Sequence, residues 1–314
     1  MTYQAPECWP ASARDWLISQ CGIRLGRIDK HAELRKARKV LLSILGRDHS
    51  AVRYQTAYGF EILFPAWDAN VVIAASNGRI LHPRLTEIFR AVTQPGDTFV
   101  DAGANAGFYS LLAATALANR GRVISFEPDP RNLPTLHSNV KFNRLEHLIQ
   151  IEPQALSDKE CELDFWSSPE NSWGGSLVEL PHDESIRCRV SATTLDRYVT
   201  ATNSGCVDII KIDIEGAEPL ALRGMRETLR EARLLVYEIN KPRLDQLEIQ
   251  PVDLIEQTCE WGQFETTLIT DERTDAILPI EDVRTTEILE DYGWANVVSA
   301  KGDAVGRLRR LFGT

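Results

Sequence analysis

The chain lacks most of the features that would place it quickly in a special class. No stretch approaches the 18 uninterrupted apolar residues of a membrane span. The opening MTYQAPECWPASARDW has no basic start followed by an apolar core, so no secretory leader is read there. Cysteines stand at 8, 21, 161, 188, 206 and 259, with no C-x-x-C pair and no metal-ligand spacing. Reduced thiols in a cytoplasmic protein are the simplest expectation. Glycine (19) and proline (15) are too sparse for a collagen-like or low-complexity chain, and no repeat is visible. What is present is a globular composition, 43% hydrophobic and 25% charged over 314 residues, enough for one large domain or two small ones.

Charge is unevenly spread. Residues 1–60 carry ten Lys/Arg against five Asp/Glu, and 301–314 carry four against one. With a net charge of −10 overall, the middle is strongly acidic. Nucleic acid needs a basic footprint, so it is not an expected partner.

Two helices are predicted early, Ala13–Cys21 and His31–Leu45. The second has Leu34, Ala37, Leu41 and Ile44 on one face and a basic face opposite. Strand-like segments follow at Ala51–Tyr58, Glu61–Phe64 and Val71–Ala75. From Pro95 the pattern becomes regular. Apolar strands at Thr98–Asp101, Val123–Glu127, Ile149–Pro153, Val207–Asp213 and Leu234–Ile239 alternate with helical stretches at 107–119, 130–143, 217–230 and 251–262. That alternation predicts a parallel sheet covered on both faces. Two more strands, Phe264–Thr270 and Thr286–Ser299, predict an antiparallel C-terminal hairpin. Residues 1–90 read as a helical and β extension, 91–314 as the main domain, and about 157–192 as an insertion within it. The extension is a candidate acceptor-side cap or dimerisation element.

Ligands of such sheets bind beyond the carboxyl ends of the strands. There the first strand reads Asp101-Ala-Gly103-Ala-Asn105-Ala-Gly107-Phe-Tyr-Ser. Glycines at a strand-to-helix turn let the backbone approach a ligand. A dinucleotide fingerprint would be G-x-G-x-x-G, whereas Asn105 stands here at the middle glycine. Glu127, ending the second strand, is placed to accept both hydroxyls of a ribose. An acidic strand end with loose glycine spacing suits S-adenosylmethionine, which has no pyrophosphate.

These segments, with Phe126-Glu-Pro-Asp-Pro-Arg-Asn132, Asn139, Asn143, Thr194-Leu-Asp196 and Lys211-Ile-Asp-Ile-Glu-Gly-Ala-Glu218, resemble the FkbM family of S-adenosylmethionine-dependent methyltransferases. The resemblance spans about 95–240. It implies a class I methyltransferase (Rossmann-like) α/β fold, a mostly parallel seven-stranded sheet with helices on both faces. It also implies O-methylation of a hydroxyl on a sugar, glycan or secondary metabolite. By that resemblance Asp101, Gly103, Asn105, Gly107, Phe108 and Tyr109 surround the methionine end. Glu127 and Pro128 meet the ribose, and Gln154, Ala155 and Leu156 lie near the adenine.

Two mechanisms fit the acids after the fourth and fifth strands. In one, Asp213 or Glu215 is the base or helps hold the donor. In the other, Asp213, Glu238 and Asn240 bind a divalent metal such as Mg²⁺ that acidifies the acceptor hydroxyl. Glu218 also reads as a helix N-terminal residue, and Lys211 as a neutraliser of a neighbouring carboxylate. His82 and His182 are candidate bases, although a lone histidine reads more readily as a surface or capping residue. Trp166, Trp173 and Gly174-Gly175 in the insertion read either as a stacking lid or as a loop anchor. The rival readings are a nicotinamide dehydrogenase and a non-catalytic scaffold.

Overall fold

The computed structural model describes residues 3–4, 51–65, 83–167, 175–177, 186–271, 274 and 276–313. The helices expected at Ala13–Cys21 and His31–Leu45, the strand at Val71–Ala75, and His82, Trp173, Gly174 and His182 lie outside them.

A small sheet comes first. β1 (Tyr3–Gln4) pairs parallel with β2 (Ala51–Gln55), and β2 pairs antiparallel with β3 (Glu61–Pro65). Helix α1 (Pro83–Val92) follows, unforeseen from sequence. Its Leu85, Ile88, Phe89 and Val92 form the buried stripe.

The main sheet then builds by alternation: β4 (Thr98–Ala102), α2 (Phe108–Ala116), β5 (Arg122–Phe126), α3 (Leu133–Phe142), β6 (Ile149–Glu152). The insertion forms its own sheet from β7 (Ala155–Leu156), β8 (Cys161–Ser167) and β9 (Ile186–Thr193). The chain returns through α4 (Leu195–Thr202), β10 (Ile209–Ile212), α5 (Glu218–Arg223), α6 (Arg226–Glu231) and β11 (Leu234–Asn240). It finishes with α7 (Lys241–Gln246), α8 (Pro251–Gly262), β12 (Thr266–Asp271), β13 (Ala276–Pro279), α9 (Arg284–Glu287), β14 (Trp294–Ala300) and α10 (Asp303–Phe312).

Strand order is β13-β12-β14-β11-β10-β4-β5-β6, with the five strands β11 to β6 parallel. β14 is antiparallel to both β11 and β12. The chain order reverses between β4 and β10, which puts a switch point beside the glycine loop. The sheet holds one strand more than the expected seven, because β13 folds back on β12. Thr286–Ser299 is not one strand. Its first half is α9 and a π-turn (Ile288–Tyr292), started by Asp282, whose carboxylate accepts from Arg284 N at 2.9 Å. The helix expected at 217–230 is two helices, and Asp196 caps the second through Glu227 N (3.1 Å) and Thr228 N (2.8 Å).

Strand alternation sorts the core into two layers. Phe99, Val123, Ile209, Val236 and Val298 face α1, α2, α3 and α10; Val100, Ile124, Ile210, Leu235 and Val297 face α4, α5, α6 and α8. The β2–β3 hairpin shares the first layer through Phe60, Ile62 and Phe64, all buried. At about 1.5–3 kcal/mol per buried large apolar side chain, those three bind the hairpin to the main domain rather than to a separate unit.

Polar contacts fix its position. Asn139 Oδ1 accepts from Leu63 N (2.6 Å) and its Nδ2 donates to Leu63 O (2.9 Å). One turn on, Asn143 makes the same pair with Glu61 N (2.9 Å) and Glu61 O (2.6 Å). Four residues of helix rise about 6 Å and two of strand about 6.6 Å, so the two amides match successive outward positions of β3. Helix α3 thus meets the edge of β3 as a neighbouring strand would.

Among the described residues no helix is long and apolar enough to cross a membrane.

Candidate active site

The loop after β4 passes through left-handed conformations at Gly103 (φ 76°), Asn105 (φ 52°) and Gly107 (φ 92°). At Gly103 a Cβ would stand 1.9 Å from the Asp213 carbonyl oxygen, so only glycine lets the two loops cross. Asn105 keeps its conformation as one of the few non-glycine residues that tolerate it. The loop is pinned from several sides. Gly103 N and Ala104 N both donate to Phe126 O at 3.0 Å, and Asn139 Nδ2 donates to Ala106 O at 2.7 Å.

Glu127 is 4% exposed. One carboxylate oxygen accepts from Asn105 N (2.6 Å), the other from Asp129 N (2.8 Å). Burial raises its pKa to about 7, against the lowering effect of those backbone donors.

An open cleft runs along these carboxyl ends, with about 530 Å³ of empty space when its solvent-open mouth is included. Gly103 and Asn105 form one wall. Glu127, Pro128 and Asn132 form the next, and Gln154, Ala155 and Leu156 the far end. Asp213, Ile214 and Glu215 close the end opposite. The insertion supplies Phe165, Gly175 and Leu177 as a third side. Ser176 holds it there: it exchanges backbone bonds with Trp166 (2.8 and 2.9 Å), and its Oγ donates to Glu215 O at 2.8 Å.

Four expected cofactor residues do not line this cleft. Asp101 is fully buried below the loop, accepting from Ser110 Oγ at 2.6 Å and facing Lys211 Nζ at 3.2 Å. Its charge is already answered. Gly107 starts α2 at the loop's rear. Phe108 and Tyr109 turn into the core, where Phe108 meets Phe60 at 5.6 Å and Tyr109 meets Phe89 at 5.3 Å between ring centroids.

Lys211 lies at the centre of the site. Beyond Asp101 its Nζ sits 3.7 Å from Asp213 Oδ2 and donates to Ala102 O (3.3 Å) and Gly103 O (3.0 Å). Burial alone would pull its pKa down, yet Asp101 and Asp213 outweigh that and leave it raised. The expected neutralising role is what this geometry performs.

Asp213, 36% of its side chain exposed, meets Glu215 and Glu238 in a cluster whose carboxylate atoms lie within 4.8 Å of one another. Glu215 thus joins Asp213 and Glu238, two of the three residues expected to hold a divalent metal. Burial, then the nearby Asp213, pushes the Glu215 pKa up to about 8. Glu218 is not in the cleft. Its two oxygens accept from Ile214 N and Gly216 N at 2.8 Å each, shaping the loop that carries Asp213 and Glu215. Phe165 and Leu177 were not singled out in the sequence, whereas Asn132 stood in the family motif and Gly175 in the insertion's glycine pair. The strand pattern of Cys161–Ser167 was the one signal for Phe165.

A Rossmann-like sheet with reversed last strands, a glycine loop at its switch point and an acid at the next strand's tip define a class I methyltransferase. The comparisons agree. Residues 101–265 match the methyltransferase FkbM domain, and the chain belongs to the FkbM methyltransferase family. It is 24% identical to methyltransferase sdnD of Sordaria araneosa, over 58% of this chain and 83% of that one. Identity to the 2-O-methyltransferase NoeI of Sinorhizobium fredii is 25%, over 50% of this chain and 69% of that one. Hexuronic acid methyltransferase AglP of Haloferax volcanii is 24% identical over 46% of this chain and 56% of its own length.

Proposed function

We propose that the chain transfers a methyl group from S-adenosylmethionine to a hydroxyl of a sugar or secondary metabolite. The observation that carries this is Glu127, a buried carboxylate held by two backbone amides in the wall of an open cleft at the carboxyl ends of the strands. Its remaining lone pairs suit two ribose hydroxyls. Gln154, Ala155 and Leu156 then flank the base, and the insertion's Phe165 and Leu177 cover it. The names of the relatives, a 2-O-methyltransferase and a hexuronic acid methyltransferase, support a hydroxyl of a sugar.

The donor supplies an electrophilic methyl on a sulfonium. The chain's own residues align the partners and move the proton. Alignment contributes up to about 7–11 kcal/mol in favourable systems. Asp213 lines the cleft and accepts the hydroxyl proton as the new C–O bond forms and the C–S bond breaks. A positioned base of this kind adds roughly 10²–10⁴-fold. Lys211 fixes Asp213 from behind. The second reading is a divalent cation on Asp213, Glu215 and Glu238, favoured by their mutual 4.8 Å spacing; full turnover in excess chelator excludes it. The described cysteines, all free thiols, suit a cytoplasmic setting.

Thermal unfolding tests the donor reading. S-adenosylhomocysteine at 100 times its Kd should stabilise the chain by about 2.7 kcal/mol, with no shift from NAD. Stabilisation by NAD alone overturns it.

A further inference from the structure

Asp129 stands two residues beyond Glu127 and is 1% exposed. Its backbone serves the donor loop. The N–H donates to Glu127 at 2.8 Å, and the carbonyl accepts from Asn132 N (3.0 Å) and Leu133 N (3.3 Å) at the start of α3. The carboxylate serves other partners. Oδ1 accepts from Arg131 N at 2.9 Å, and Oδ2 accepts from Arg131 Nη2 at 2.7 Å and from Ser167 Oγ at 2.9 Å. A carboxylate buried this far persists only where charge and hydrogen bonds answer it. Arg131 answers the charge. The Ser167 bond leaves the loop altogether and reaches the last residue of β8.

That bond bears on the cleft. Ser167 and Phe165 stand two apart on β8, so they share a face. Phe165 lines the cleft, whereas Ser167 and Asp129 stand behind its wall. Gly175 joins the same stack. A Cβ there would lie 2.6 Å from Phe165 Cζ and 3.7 Å from Asp129 Oδ2, so the chain runs flat against the ring, with room only for glycine. Cys188 pairs with Phe165 on β9 and feels the same charge: burial first, then Asp129, raises its thiol pKa.

The place of β8 makes the tie matter. It is the outer strand of the insertion sheet, ordered β7-β9-β8, whose buried apolar cluster is small: Ala155, Phe165, Val190 and Ala192. Polar ties fasten this strand to both sides of the cleft. Ser167 reaches Asp129 beside Glu127. Trp166 bridges to Ser176, whose Oγ reaches Glu215 O near Asp213.

We propose that Asp129 is a positioning residue that joins the donor loop to the insertion, so that filling the donor site and seating β8 over it are one coupled event. This coupling rests on the methyltransferase reading, with Glu127 as the ribose acid. One residue carries both halves of it. A shift of Asp129 that spoils its amide bond to Glu127 also draws its carboxylate from Ser167, and the reverse holds. Such coupling is reciprocal: what binding at Glu127 gains from a seated insertion, the insertion gains from an occupied site.

The test uses the full chain with S-adenosylhomocysteine as the probe, followed by calorimetry and amide hydrogen exchange. Ser167→Ala cuts the tie without altering Glu127 or a cleft-lining residue, and should weaken binding about three- to tenfold. Asp129→Ala should weaken it at least as much. The double variant should lose less than about twofold beyond Asp129→Ala, because both changes cut one tie. In the wild type, saturating S-adenosylhomocysteine should slow exchange at residues 161–167, 175–177 and 103–107. In saturated Ser167→Ala the slowing should vanish at the first two segments and remain at the glycine loop, a split that general destabilisation does not produce. If Asp129→Ala fails to fold, Ser167→Ala decides alone. A Ser167→Ala chain that matches the wild type in affinity or in ligand-linked protection overturns the coupling and leaves the methyltransferase reading standing. So do single losses that multiply in the double variant. A wild type that does not bind S-adenosylhomocysteine removes that reading, and the coupling with it.

Discussion

Asp101 and Glu127 both end a strand of the sheet, and both read as donor ligands in the sequence. Their surroundings separate them. Asp101 is paired with Ser110 and Lys211 below the loop, whereas Glu127 faces the cleft with a pKa raised to about 7. The raised value has two consequences of opposite sign. For the free protein, Glu127 contributes stability that is complete below about pH 4.5 and is lost as pH rises through about 7. Donor binding runs the other way, because ribose hydroxyls need the ionised carboxylate as acceptor. Affinity for S-adenosylhomocysteine should therefore fall towards tenfold per unit as pH drops below 7. Calorimetry at pH 5.5, 6.5 and 7.5 checks this, and Glu127→Gln should bind weakly with a flat profile. A wild type whose affinity ignores pH would show that Glu127 does not take the ribose. The strand-end acids were legible because each follows an apolar strand. Which of them is already paired was not, because the lysine that decides it, Lys211, lies 110 residues from Asp101 in sequence and meets it through strand pairing.

At the scale of elements, the parallel strands were legible from continuous apolar runs, and their boundaries hold to within a residue or two. Elements were missed where the pattern was short or ambiguous. The Thr285-Thr286 pair before Ile288 and Leu289 favours a strand by residue type, and the local cap at Asp282 overrides it. Asn143 stood in the sequence only as part of the family pattern, since nothing near it in sequence reveals that β3 lies alongside. Asn139 and Asn143 now carry a graded prediction. Asn143→Ala cuts the ties to Glu61 and the Nδ2 bond to Asn139 O, and should cost about 1–2 kcal/mol with donor affinity unchanged. Asn139→Ala strands the polar backbone of Leu63 and also frees Ala106 O in the glycine loop. It should cost about 2–4 kcal/mol and weaken donor binding as well. Denaturant melts with calorimetry separate the two; equal effects on donor affinity would mean the glycine loop does not depend on Asn139.

At the scale of the whole molecule, the acidic middle seen in the charge count coincides with the carboxylate-rich end of the sheet. The opposite end is held by a mixed-charge lock. Arg233 bonds Asp97 and Val92 O, and lies 3.8 Å from Asp303 at the start of α10. Asp97 is buried enough that its pKa is raised despite the arginine. Arg233→Met leaves that carboxylate without its buried partner and should destabilise the chain by about 3–5 kcal/mol. The lock sits at the amino ends of the strands, away from the cleft, so S-adenosylhomocysteine affinity should hold at temperatures where the variant is folded. A variant that stays folded yet loses the ligand would show that the two ends are coupled.

The contact between α3 and β3 also bears on how the chain behaves among its own copies. β3 is the last strand of its small sheet, and an outermost strand normally displays a row of unsatisfied amides and carbonyls to any extended segment that drifts past. Two asparagine side chains occupy that row at Glu61 and Leu63. The border is closed from within the molecule, by a helix, at the place where fibre-like growth from chain to chain would otherwise begin.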